Sequence, residues 1–175
     1  MIISLIGYRG SSKSTLAPRL AERLGWDWID ADVELERRAG QSIREIFAAE
    51  GEPGFRQRER DVIADLVQRD RLVLAAGGGA ILDKRNRRLL SGAGPVLWLT
   101  ASPETLYRRI SGDGTTAERR PQLAGGGLEE VQRLLTLRTP LYRACSRAAI
   151  DTENRTAEEV LTAALDALRG LGVNG

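Results

Sequence analysis

Near its amino terminus the chain passes from an apolar run, Ile2 to Ile6, through Gly7-Tyr8-Arg9-Gly10-Ser11-Ser12-Lys13-Ser14-Thr15 into a stretch whose Leu16, Ala17, Leu20, Ala21 and Leu24 recur at helical spacing. A buried strand, a glycine loop and an amphipathic helix in direct succession leave few folds open. The helix has to pack back on the strand's own sheet, and the loop then presents backbone N–H groups at a helix N-terminus, where phosphate oxygens are held. Lys13 would neutralise phosphate charge, and the hydroxyl of Ser14 suits Mg²⁺. One position departs from the usual phosphate-loop pattern: Ser12 stands where glycine normally precedes the lysine. If that residue needs φ > 0, a side chain there costs about 1–2 kcal/mol. The competing reading is a strand-to-helix turn with a chance Lys-Ser. It is disfavoured because Lys13 is one of only two lysines and falls in register with strand, hydroxyl and helix.

Beyond the loop, strand-length apolar runs alternate with helical patterns, the signature of βα units around a parallel sheet. Strands are expected at Trp26 to Ile29, Leu72 to Ala76, Pro95 to Leu99 and Ala148 to Ile150. Asp32 is expected to start a short helix ending at Gly40, and Ser42 with Glu45 forms a capping box for the next. Gly51, Pro53 and Gly54 should break that helix before an amphipathic segment from Phe55 to about Arg69. Further helices are expected over about 83–91, from Pro103, from Leu128 to Cys145 and from Thr156. The glycine-rich stretch at about 111–127 has almost no apolar periodicity and reads as a lid. Trp26, Trp28 and Trp98 lie on or beside strands and read as core, and Cys145 as a core or helix-end residue. The whole of 1–175 reads as one domain.

Composition removes several chemistries. With no histidine and a single cysteine there is no disulfide framework, no Cys/His zinc site and no histidine-paired nucleophile, which leaves acid–base work to Asp, Glu, Lys or Tyr. No apolar run is long enough for a membrane span, and the opening lacks the basic leader of a signal peptide, so a cytoplasmic protein is expected. Net charge is +2, yet 24 of the 26 basic residues are arginine, so a lone arginine means little here. The surplus is local: residues 101–147 carry eight Arg against five acids. A small polyanion fits that better than a nucleic-acid backbone or a membrane surface.

The order and spacing of several motifs then become informative together. Asp30-Ala31-Asp32 follows the second strand, Phe55-Arg56-Gln57-Arg58-Glu59 the glycine break, and Gly77-Gly78-Gly79 the third strand. Arg120-Pro121 falls in the lid, and Arg138-Thr139-Pro140-Leu141-Tyr142 beyond it. With the phosphate loop, these closely resemble the shikimate kinase family from Ile3 to about the final helix. The resemblance implies a single-domain P-loop kinase fold of α/β class, with a five-stranded parallel sheet in the order 2-3-1-4-5 flanked by helices. It implies ATP-dependent phosphorylation of the 3-hydroxyl of shikimate, in aromatic amino acid biosynthesis, by a cytoplasmic monomer.

Residue by residue, the resemblance places ATP on Arg9, Gly10, Ser11, Ser12, Lys13, Ser14 and Thr15. Arg120 would close over the phosphates, its neighbour Arg119 leaving an ambiguity of register, and Arg155 would lie on the adenine side. Mg²⁺ falls to Ser14 and, through water, to Asp30. Shikimate falls to Asp32, to Arg56 and Arg138 through its carboxylate, and to Gly77, Gly78 and Gly79, within a helical segment of about 32–60. Asp32, Lys13 and Arg120 would carry the transfer.

Physical reasons stand beside these assignments. Asp30 and Asp32 sit where a parallel strand ends, the place at which such sheets bind ligands, although either could simply cap the next helix. Arg56 near a helix start opposes the helix dipole, which a bound carboxylate would explain. Three successive glycines suggest close backbone approach to a ligand. Two other readings remain: a P-loop kinase acting on gluconate or a nucleoside monophosphate, and a nucleotide-binding module impaired by Ser12.

Overall fold

The protein was analysed as a computed structural model that describes residues 1–112 and 127–173. Five parallel strands, β1 (Ile2–Ile6), β2 (Asp27–Asp30), β3 (Leu72–Ala75), β4 (Val96–Thr100) and β5 (Ala148–Asp151), form one sheet in the order β2-β3-β1-β4-β5. Strand β1 lies at the centre, with Ser4 opposite both Leu74 and Val96. Its Ile2, Ile3, Leu5 and Ile6 have no exposed surface, as a strand covered on both faces requires.

Helices α1 (Lys13–Leu24) and α7 (Ala157–Gly170) cover one face. Leu16, Leu20, Ala164 and Leu168 pack there against Ile3, Leu5, Val73 and Leu97. The other face carries α3 (Ile43–Leu66), α4 (Lys84–Ala93) and α6 (Gly127–Cys145). Phe55, Ile63, Leu90 and Tyr142 close on Ile2, Ile6, Leu74 and Val96. Helix α2 (Ala31–Ala39) leads from β2 to α3, and α5 (Pro103–Ser111) follows β4. The expected capping box forms at Ser42 with Glu45, and a second forms at Thr156 with Glu159.

Three expectations need correction. Helix α2 begins at Ala31, and Asp30, not Asp32, is its cap, accepting from the backbone N–H groups of Asp32 at 2.9 Å and Val33 at 3.4 Å. The break at Gly51, Pro53 and Gly54 narrows to one residue. Gly51 alone is non-helical (φ 65°, ψ −173°) and divides α3 there into two helical stretches, with the Phe47 and Phe55 rings stacked across the kink at 4.7 Å. Trp28 is not core: β2 is an edge strand, and 45% of this residue stays in solvent. Trp26 is half-buried, and Trp98 stacks on Tyr142 with centroids 5.7 Å apart. Cys145 ends α6 and is buried, as expected. Strand boundaries shift by a residue; β2 runs to Asp30 and β4 to Thr100.

Candidate active site

Strand order reverses between the neighbours β1 and β3, which lead into α1 on one face and α4 on the other, and the carboxyl ends of the strands open there into a cleft. Its volume is about 300 Å³, and it is lined by Arg9, Gly10, Ser12, Lys13, Ser14, Thr15, Asp30, Asp32, Ala76, Gly77, Gly78 and Arg109. Most of the residues singled out in the sequence therefore meet in one space.

In the phosphate loop Ser12 adopts φ 71°, ψ 22°, so the serine keeps the left-handed conformation in which glycine is usual. As the cap of α1 it makes no side-chain hydrogen bond to the helix. The Lys13 ammonium donates to the carbonyls of Gly7 and Tyr8, both at 2.9 Å, and to Ser11 Oγ at 3.3 Å. Ser14 donates to Asp30 Oδ2 at 2.8 Å, which joins the two residues expected at the metal. Asp30 thus serves both as a helix cap and as a carboxylate in the cleft. Among the described residues no group of three or more His, Cys, Asp or Glu could hold a metal ion. One hydroxyl and one carboxylate fit Mg²⁺, which keeps water and phosphate oxygens in its octahedron and needs no all-protein cage.

On the opposite wall Asp32 lies against the triple glycine. A Cβ on Gly77 would stand 2.8 Å from Asp32 Oδ1, and one on Gly79 would stand 2.7 and 2.8 Å from the Arg56 guanidinium nitrogens. These two glycines therefore make room for the chain's own charged side chains, a reason the sequence alone does not display. Gly78 differs: a Cβ there meets its nearest neighbour at 3.4 Å. Its carbonyl accepts from the Tyr142 hydroxyl at 2.6 Å and from Arg138 Nη1 at 3.4 Å.

Arg56 is seated by an ion pair with the buried carboxylate of Glu59 at 2.7 Å and a looser one with exposed Glu52 at 3.3 Å, its guanidinium lying over the Phe55 ring. Arg138, 9% exposed, lies over the Tyr8 ring with its central carbon 5.4 Å from the centroid. Burial pushes the Tyr142 phenol well above its usual range, so it stays a hydrogen-bond donor to Gly78. Arg155 is exposed and faces a smaller pocket of about 70 Å³ that shares Ser12 and Thr15 with the main cleft. Arg120, Arg119 and most of the expected lid fall outside the described residues.

Two participants were given no role by the sequence. Glu59 closes the motif from Phe55 to Glu59 without a task of its own there, and its i,i+3 spacing to Arg56 is the signal that could have assigned one. Arg109 resembled an ordinary helix-end cation. It donates to the Gly10 carbonyl at 3.1 Å and to Thr152 through Oγ1 at 3.0 Å and the carbonyl at 2.8 Å, tying the phosphate loop to the turn after β5. Beside it, Glu153 accepts from the hydroxyl of Thr105 and the backbone N–H of Ser102, which hold its carboxyl below the usual range and pin that turn to α5.

Comparison with known proteins yields one family. A family model described as Shikimate kinase matches residues 9–169. A shikimate kinase of Rhodopirellula baltica is 46% identical over 93% of this chain and 88% of that protein, and one of Symbiobacterium thermophilum is 42% identical over the full length of both. Among solved structures, a shikimate kinase from Acinetobacter baumannii in complex with shikimate superposes with a TM-score of 0.91 at 36% identity, covering 99% of this chain and 95% of that one. A gluconokinase from Sinorhizobium meliloti, at TM-score 0.62 and 21% identity over 97% of this chain and 91% of that one, shares the fold alone.

Proposed function

The chain belongs to the shikimate kinase family, and from that premise we propose that it transfers the γ-phosphoryl group of ATP to the 3-hydroxyl of shikimate through the residues gathered in the cleft. It is an enzyme, a kinase that phosphorylates an alcohol, and the gluconate and nucleoside monophosphate readings give way to shikimate. The observation that carries the residue assignments is the single cleft in which Lys13, Ser14 and Asp30 face Asp32, Gly77 and Gly78. Donor and acceptor machinery across one cleft is what in-line phosphoryl transfer needs, because catalysis there is largely positioning and charge neutralisation.

In this reading the loop N–H groups and Lys13 hold the transferred phosphate, and Arg9, Gly10, Ser11, Ser12 and Thr15 frame the rest of the triphosphate. Arg155 lies toward the adenine. Ser14 and Asp30 hold Mg²⁺, which when bound with ATP neutralises the phosphate charge. Asp32 orients the acceptor hydroxyl and takes its proton, while Arg56 and Arg138 fork onto the acceptor carboxylate. Arg120 completes the phosphate contacts from the lid, whose closure excludes water that would otherwise hydrolyse ATP. The enzyme acts as a cytoplasmic monomer on soluble substrates. A coupled ADP-release assay with shikimate, gluconate and nucleoside monophosphates checks the proposal: turnover is expected with shikimate, and its absence would sink the reading.

A further inference from the structure

Arg56 and Arg138 approach the acceptor side on opposite terms. Arg56 is flanked by two carboxylates. Among the described residues Arg138 has no carboxylate partner; its Nη1 bond to Gly78 is long at 3.4 Å, and its Nε is buried without a hydrogen bond. The Gly78 carbonyl already has a short bond from Tyr142, so Arg138 is not what satisfies it. Besides that bond the buried guanidinium meets the Tyr142 hydroxyl at its edge, which leaves its flat face to be supported. The ring of Tyr8, 3% exposed, lies under it.

We propose that Tyr8 is a positioning residue for the acceptor carboxylate, seating Arg138 through the face of its guanidinium. The inference rests on the reading that Arg138 takes that carboxylate. An aromatic seat engages the plane of the guanidinium and leaves its N–H edge unspent, so the two-bond fork onto a carboxylate stays available and the full positive charge is kept. An acidic seat would fix Arg138 equally well but would neutralise it. Among the described residues Tyr8 bonds to the phosphate loop through its main chain, its carbonyl accepting from Lys13 and from the Ser11 N–H, so changing the ring leaves those contacts in place.

Substitution of the ring separates this role from general packing. Tyr8→Phe is expected to keep the shikimate KM within about twofold, whereas Tyr8→Leu raises it about 5- to 30-fold with little change in the ATP KM. In an Arg138→Met background, Tyr8→Leu adds nothing further to the shikimate KM, because the ring acts through that arginine. Should the leucine variant fail to fold by circular dichroism, Tyr8→Met is read in the same way. An unchanged shikimate KM in the ring-less variant, or an equal rise in the Arg138→Met background, overturns the inference alone. Calorimetry of the parent with shikimate guards the premise: no binding overturns the reading of Arg138 and this inference with it.

Discussion

On the acceptor side of the cleft, Arg56 lies between Glu52 and Glu59, Arg138 rests on Tyr8, and Asp32 and Arg56 fill space that Gly77 and Gly79 leave open. On the donor side, Lys13 turns to the carbonyls of its own loop and Ser14 to Asp30. The first set of contacts holds side chains in place beside the ligand. The second occupies the groups that a triphosphate and its metal would engage, so those contacts have to be exchanged when the donor arrives. Preorganisation on one side and replacement on the other mean that mutations in the two walls should fail differently.

The largest effect is expected for Lys13→Met, which removes the charge facing the transferred group. Steady-state kinetics should show kcat falling about 10²- to 10³-fold, while calorimetric affinity for shikimate is unchanged; loss of both would erase the distinction between the walls. Glu59→Gln attacks the opposite wall, weakening the seat of Arg56 while keeping its shape. Here the shikimate KM should rise about tenfold, equivalent to about 1.4 kcal/mol, and the ATP KM should hold. A rise in the ATP KM instead would place Arg56 on the donor side.

Ser12→Gly sharpens the comparison within the donor loop. Relief of the left-handed serine should raise unfolding stability by up to about 1 kcal/mol with shikimate turnover maintained in the parent as well as the variant. Turnover confined to the glycine variant would make the parent a nucleotide-binding module. The smallest effect on activity is expected at Glu34, which does not line the cleft and where hydrogen bonds from Arg37 and Arg38 hold the buried carboxyl down to about 2 from its ordinary 4.5. A lowered folded pKa gives stability that is present above 4.5 and lost as pH falls toward about 2. Denaturation of Glu34→Gln should therefore show a deficit against the parent at neutral pH that closes over that acidic range, with kcat unaltered.

Periodicity and loop chemistry made the alternation of strands and helices, the phosphate loop and the Asp30 to Asp32 corner legible, because each is written in residues close together in the chain, whereas the strand order followed only from the family resemblance. Pairings between distant residues were not. Tyr8 and Arg138 meet across 130 positions, and neither glycine spacing nor charge marks the one as the seat of the other. The roles of Glu59 and Arg109 were hidden by composition, in a chain so rich in arginine and acids that one more of either carries little signal. The triple glycine was read as a place for a ligand. At Gly77 and Gly79 it first serves Asp32 and Arg56, a close approach visible only once α2, α3 and β3 are assembled. Trp28 misled because an apolar strand residue reads as core until the strand proves to lie at an edge.

The central place of β1 has a consequence for descent. What would select the acceptor, Asp32, Arg56 and the glycine turn, lies between the end of β2 and the turn after β3, with Arg138 and its aromatic seat the exceptions, while the donor machinery follows β1, β4 and β5, with Asp30 at the end of β2 its outlier. A lineage can thus rewrite about fifty contiguous residues (32–79) and inherit the phosphate-handling apparatus intact. The Sinorhizobium meliloti gluconokinase, at 21% identity, shares this fold alone, and the fold by itself does not fix the acceptor.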